Sequence, residues 1–390
     1  METKTESLSS EGIFLKGFSF PLLVFVLIVP ILWGWMYLVR RLIPVNTSPD
    51  QILRPYMGTK PETLPWLEIW QRWDTLHYQA IAEHGYNAFA TSLFTPPLYP
   101  LLMKFASFVF DNNTLLGGLV VSLLFCAASF TAFYEFAKFE MQDKVLAQRA
   151  LIYFAIFPTI FFLFAPYTES IFTLGSIMCL LNLRKSRWLS AGIWGALAAS
   201  ARLTGAVIFI PALWSMWENW KNNGQLSAWV SPFLIGIASL IFPLYSWLGL
   251  GKSVFSPFEA QSQRFHGGFT LPGINIIKAI QQAMLGHFPI TNTLDVLFLI
   301  IFLVLGVTVW KQLPRVYGIY YFTFMALYLT RIADTYPLLS MARYVLALFP
   351  AFLVLAQYGK TPTLNRIIVY GSILGLLFLS AQFTLWGWVG

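Results

Sequence analysis

The chain alternates long apolar runs with short polar segments. The first run, Phe18 to Val39, is about 22 residues, which at about 1.5 Å per residue crosses a hydrocarbon core of about 30 Å. It is longer than the apolar region of a secretory signal. Trp33 to Tyr37 leads directly into Arg40 and Arg41 with no small-residue cleavage site, so the pattern predicts a retained anchor. Runs over 115–137, 146–165, 168–183, 188–201, 203–220, 229–249, 293–310, 315–331, 343–358 and 366–386 bring the expectation to about 11 transmembrane helices, with 188–201 and 203–220 short for a span. Phe94 to Phe110 is also apolar, but Pro96, Pro97, Pro100 and Lys104 interrupt it. That segment is expected to be an interfacial or re-entrant helix.

The polar interruptions are unequal. Between Arg40 and Thr95 the chain passes five prolines and then a polar, aromatic island from Trp70 to Tyr86, which holds two of the four histidines. Asp74 is followed by no Pro or Gly until Gly85, a pattern that predicts a short helix with Asp74 as N-cap and Gly85 as the left-handed residue after its end. Composition agrees with the pattern: 57% of residues are hydrophobic and 11% charged, with a mean hydropathy of +0.65. The expected fold is an all-α polytopic membrane protein, with residues 1–390 as a single integral membrane domain. Its first outer loop, 40–114, carries short juxtamembrane helices, and a second outer loop covers 250–294.

The net charge of +8 is spread over the short loops, so it reports topology and not a nucleic-acid partner. With the N-terminus inside, Lys138, Lys144, Arg149, Arg184, Lys185, Arg187, Lys221, Lys311, Arg315, Lys360 and Arg366 fall on the cytoplasmic side, and Arg40 and Arg41 are exceptions. The Asp74 loop, the turn Ala165 to Ser170 and the loop Lys252 to Asp295 then share the other face. Cys126 and Cys179 lie inside apolar runs and suggest neither a disulfide framework nor a metal cluster.

Candidate chemistry collects on that outer face. Asp74 reads either as a helix cap or as a general base, with Trp73 and Tyr78 as apolar or stacking surface and His77 three residues on, features that suit a sugar hydroxyl against an aromatic wall. A helix N-terminus stabilises the anion, so the two roles conflict in part. Glu169 opens a run and reads as a helix-terminal carboxylate or a substrate contact. Arg202 interrupts an apolar run, where a cation is costly and points to function unless it snorkels to the interface. Arg331 and Arg343 flank an outer loop against the positive-inside bias, and an anionic lipid phosphate would explain them. Gln261, Gln263, Arg264 and His266 are candidates to line the same cavity. Gly249, Gly251, Lys252 and Ser253 end like a phosphate-binding loop, but Ser246 stands where its first Gly belongs, and an apolar helix pattern precedes it. Motifs of zinc peptidases, serine hydrolases and thiol redox proteins are absent.

In order along the chain, five groups of residues resemble the motifs of the PIG-V family, the GPI mannosyltransferase 2-like members of the GT-C class of membrane glycosyltransferases. They are Arg72 to Tyr78 with Ile81 to Tyr86; Pro96 to Pro100; Phe157 and Pro158 with Pro166 to Ser170; Ala201 to Gly205; and Arg343 and Tyr344 through Phe349 and Pro350. Where that family often has Arg-Ser-Asn-Gly, this chain has Arg202, Leu203, Thr204 and Gly205. The resemblance implies a GT-C-like bundle and inverting transfer of a sugar, mannose or another hexose, from a polyprenyl-phosphate donor to a lipid or glycan acceptor. Asp74 would be the base, and Arg202 and Arg343 would hold the phosphate. Trp73, His77, Tyr78, Glu169, Gln261 and Tyr344 would be substrate contacts, with no cofactor or metal. A bacterial protein would sit in the inner membrane with its site facing the periplasm, a eukaryotic one in the ER membrane. The alternative is a transporter or flippase of lipid-linked sugars, which would place polar groups near mid-membrane and usually repeat its halves; no internal repeat is evident.

Overall fold

The computed structural model describes residues 19–45, 56–86, 93–264, 267–285, 290–334 and 336–389 of the chain. It is built from helices: α1 (Phe20–Leu42), α2 (Pro65–Glu68), α3 (Asp74–His84), α4 (Leu98–Ser107), α5 (Thr114–Met141), α6 (Lys144–Ala155), α7 (Glu169–Arg184), α8 (Trp188–Ala201), α9 (Phe209–Asn223), α10 (Val230–Leu248), α11 (Ser256–Arg264), α12 (Ile274–Met284), α13 (Ile290–Gln312), α14 (Arg315–Leu329), α15 (Met341–Tyr344), α16 (Pro350–Tyr358) and α17 (Pro362–Thr384). Two three-residue strands, β1 (Gly267–Phe269) and β2 (Arg331–Ala333), pair antiparallel with Gly268 opposite Ile332. The protein is an all-α polytopic membrane protein.

Among the described residues 5 helices are long and apolar enough to cross a membrane: α1, α5, α10 with the turn before it, α13 and α17. They become 6 if Met341–Ala347 and Pro350–Tyr358, bent by 91°, form one span. The other apolar runs are helical too, but shorter. Helices α6, α7, α8, α9 and α14 have 12, 16, 14, 15 and 15 residues, so none exceeds about 24 Å against a core of about 30 Å. Helix α4 has 10 residues, about 15 Å, with Leu101 and Phe105 exposed and Tyr99 and Met103 buried, as suits a helix lying in the interface.

The short helices end where the chain turns irregular, at 156–168, 202–208, and 330–334 with 336–349. Pro158, Pro166 and Pro350 lack a backbone N–H and cannot continue a helical ladder through these stretches. Irregular backbone at membrane depth survives only where protein buries it or where it lines a cavity. Residues 157–168 and 337–349 are indeed buried throughout. Helix α7 packs on α5 and α8, and α8 on α10. Phe133 of α5 stacks on Phe154 of α6 at 4.7 Å, and Phe352 of α16 meets Phe154 at 5.2 Å. This aromatic core ties α6, which leads into the first break, to α16, which follows the last.

Candidate active site

The Asp74 helix begins one residue earlier than propensity alone suggests. Trp73 is its N-cap, at φ 50° and ψ −116°, and Asp74 is its first helical residue. The Tyr167 hydroxyl accepts a hydrogen bond from the Asp74 N–H at 3.2 Å and donates one to the Arg72 carbonyl at 3.2 Å. A phenol brought in from 93 residues away thus takes up a backbone group at the helix start, and no side-chain cap comes from the N-cap residue itself. Gly85 does end the helix, but at φ 74° and ψ −176°, a positive-φ conformation other than the left-handed helical one.

Both ends of this segment are fastened to the bundle. Glu83 accepts a hydrogen bond from the Thr114 hydroxyl at the start of α5 at 2.5 Å, and Gln79 donates to the same hydroxyl at 3.2 Å. On the other side Arg72, fully buried, pairs with Glu68 at 2.6 Å, donates to the Thr384 carbonyl at 3.1 Å and lies 4.7 Å over the Trp386 ring. Burial pushes the Arg72 pKa down to about 10 against the pull of Glu68, so the guanidinium remains charged at neutral pH. Burial also raises the Tyr78 phenol, with Asp74 and Glu169 adding to the effect.

Asp74 leads into an alternating chain of charges. Arg343 donates to Asp74 Oδ2 at 2.8 Å and to Glu169 Oε1 at 2.5 Å, and Arg202 donates to the same Glu169 oxygen at 2.6 Å. Each of these residues stands at a helix terminus or a break. Glu169 opens α7 after the Pro166 turn, and Arg202 is the extended residue that ends α8. After Arg202 the chain folds back so tightly that a Cβ on Gly205 would lie 2.2 Å from the Ala198 carbonyl oxygen; only glycine fits there. Arg343 lies in α15, where Asp295 accepts the Ala342 N–H at 2.7 Å and Thr159 donates to the Ala342 carbonyl at 2.8 Å. Its guanidinium is 4.8 Å from the Phe162 ring and 4.7 Å from the Tyr167 ring. Side-chain exposure of 4% for Glu169 and 5% for Arg343, against 17% for Arg202 and 20% for Asp74, separates the inner pair from the outer one.

The outer pair faces a cleft. Of the residues expected from the sequence, Asp74, Tyr78, Arg202, Gln261, Arg343 and Tyr344 line it together. Three expected contacts lie behind its wall. Trp73 is buried edge-on to Trp386 at 5.7 Å and Trp388 at 5.2 Å, His77 is buried with its ring 5.1 Å from Phe94, and Glu169 sits beneath the arginines. Gln263 is exposed, while the Arg264 side chain and His266 lie outside the described residues.

Sequence reasoning missed Thr95, Thr204, Ser340 and Trp388 as part of the wall; Arg331, read from the sequence with Arg343 as an outer-loop arginine that an anionic lipid phosphate would explain, lines the cleft as well. The Thr95 and Thr204 hydroxyls are buried and have no hydrogen-bond partner among the described residues. Arg331 is 8% exposed and makes no ion pair among the described residues. Strand β2 holds it in place, and a Cβ on Gly267 of β1 would lie 2.0 Å from the Ile332 carbonyl oxygen, so the strands can approach this closely only with glycine there. Its departure from the positive-inside trend is the signal that marked it in the sequence. Among the described residues no group of three or more His, Cys, Asp or Glu is placed to hold a metal ion.

Fold and site together define a polytopic membrane protein with a charged cleft built where its helices break. No family model matches the chain. Two curated proteins are similar to part of it. GPI alpha-1,6-mannosyltransferase 2 of Mus musculus is 28% identical over 192 residues, 47% of this chain and 37% of that protein. GPI mannosyltransferase 2 of Schizosaccharomyces pombe is 27% identical over 139 residues, 35% of this chain and 30% of that protein. The chain thus spans about a third of the length of each relative.

Proposed function

We propose that this protein is a membrane-embedded glycosyltransferase of the GT-C type that moves mannose or another hexose, with inversion, from a polyprenyl-phosphate donor to an acceptor hydroxyl. The names of the two relatives support the mannosyl part of this reading. The observation that carries it is the Asp74 carboxylate, oriented by Arg343 and facing a cleft that two further arginines line.

The roles follow from which donors are already engaged. Arg343 spends Nε and both terminal nitrogens on Glu169 and Asp74, so it orients the base. Arg202 uses one terminal nitrogen on Glu169, and Arg331 makes no ion pair among the described residues. A guanidinium has five N–H donors, which leaves this pair to grip the donor phosphate. As the acceptor oxygen bonds to the anomeric carbon, its proton passes to Asp74. The bond from that carbon to the phosphate oxygen breaks, and the lipid phosphate departs with the electron pair, stabilised by Arg202 and Arg331. Buried hydroxyls without partners cost free energy, and those of Thr95 and Thr204 are placed to recover it on sugar hydroxyls. Trp73, His77 and Glu169 serve this arrangement from behind the wall. The loop charges put the cleft on the non-cytoplasmic face, with a lipid or glycan as acceptor.

The test is incubation of purified protein with labelled polyprenyl-phosphate mannose and a membrane lipid extract. Label carried into a new lipid or glycan product supports the proposal. Intact donor crossing the bilayer of proteoliposomes without transfer would identify a flippase instead.

A further inference from the structure

Helix α7 runs from Glu169, in the charged network, to Arg184, about 22 Å away. At the Arg184 end a second, polar cleft is lined by Arg184, Ser215, Glu218, Asn219, Asn222 and Arg315, the Glu218 carboxylate lying among two guanidinium groups and neutral amides. Helix α9 divides its faces there. Ser215 and Asn219 face the polar cleft, while Trp214 and Trp217 line an apolar groove with Trp310 and Ile319.

Arg315 lines both cavities. Its guanidinium lies 4.9 Å over the Trp310 ring, and it makes no ion pair among the described residues. Arg184 is already held by Glu140 at 3.2 Å. Two buried polar atoms without partners flank the junction: the amide oxygen Oδ1 of Asn219 on the polar side and the indole Nε1 of Trp214 on the apolar side. One is an acceptor and the other a donor. Trp214, Trp217, Trp220, Trp229 and Trp310 gather at this end of the bundle, as tryptophans do at a membrane–water interface.

We propose that the joined cavities bind one anionic glycerophospholipid with a hydroxyl-bearing headgroup, on the opposite end of the protein from the Asp74 cleft. The phosphate sits on Arg315, the headgroup hydroxyl donates to Asn219 Oδ1, Trp214 Nε1 donates to an ester carbonyl, and an acyl chain fills the apolar groove. Basic pockets between transmembrane helices at an interface recognise anionic headgroups in this way. The apolar groove beside Arg315 selects a lipid over a free anion.

Native mass spectrometry of the full chain released from mixed micelles tests the site, with phosphatidylglycerol and phosphatidylcholine as probes. Wild-type protein is expected to retain one phosphatidylglycerol under conditions that strip phosphatidylcholine. Arg315→Ala should lower retention about tenfold, the loss expected for a charge-assisted contact to phosphate. Lys144→Ala, an exposed cation of α6 outside both cavities, should retain lipid as wild type does. Trp214→Phe removes the indole N–H together with the five-membered ring while keeping an aromatic side chain in the groove, and should lower retention without emptying the site. Equal retention of the two lipids by wild type, displacement of phosphatidylglycerol by millimolar inorganic phosphate, or unchanged retention in Arg315→Ala would each overturn the proposal. The wild-type arms decide it even if Arg315→Ala does not fold.

Discussion

Replacing Glu169 by Gln isolates what holds the charged network together. Glu169 Oε1 receives Arg202 at 2.6 Å and Arg343 at 2.5 Å, and its side chain is 4% exposed. Glutamine keeps the volume and one carbonyl acceptor but removes the charge, leaving two guanidinium groups to share the Asp74 carboxylate. Removing one partner of a buried ion pair costs about 3–5 kcal/mol because the remaining charge is uncompensated. Arg202 is 17% exposed, so water recovers part of that cost, and a loss near the lower end, about 3 kcal/mol, is expected. Asp74 lies at the more exposed end, where losing one charge costs closer to about 1 kcal/mol. Melting curves in detergent should therefore place Glu169→Gln well below wild type and Asp74→Asn close to it. A double variant, Glu169→Gln with Arg202→Gln, should regain part of the loss because it removes one uncompensated cation. If Glu169→Gln melts like wild type, Glu169 does not hold the arginines, and the ordering of the site described above is wrong.

Arg202→Ala and Arg331→Ala should each raise the donor KM about tenfold or more, with Lys recovering less than half of the loss because it cannot make a planar bidentate contact; donor titrations check both. In intact cells or right-side-out vesicles, an impermeant thiol reagent should label Thr63→Cys from outside and Lys221→Cys only after permeabilisation, against a silent background because Cys126 and Cys179 are buried. Gly205→Ala should destabilise the protein by about 1–3 kcal/mol, since the new methyl meets the backbone of α8, and melting temperature reads it directly.

Much of the site was legible because charge is expensive in an apolar chain. Asp74, Arg202 and Arg343 stood out for that reason, and the structure brings them together with Tyr78, Gln261 and Tyr344. Pairing was not legible. Nothing local in the sequence says that Glu169 joins two arginines 33 and 174 residues away, or that the Tyr167 hydroxyl meets the start of α3. Trp388 follows a run that reads as an ordinary span, so its place in the cleft wall had no local signal. The apolar runs were found as helices, but hydropathy does not register that α6, α8 and α14 stop short of a span where the chain becomes irregular around the cleft.

The measurement closest to the central claim is turnover of Asp74→Asn with labelled polyprenyl-phosphate mannose, alongside donor binding and a melting curve. Asparagine retains an oxygen that can accept from Arg343 but is not a general base. The variant should fold and bind donor, because the phosphate is assigned to Arg202 and Arg331, while turnover falls about 100-fold or more. A well-folded Asp74→Asn protein that transfers sugar at a near-normal rate would contradict the account.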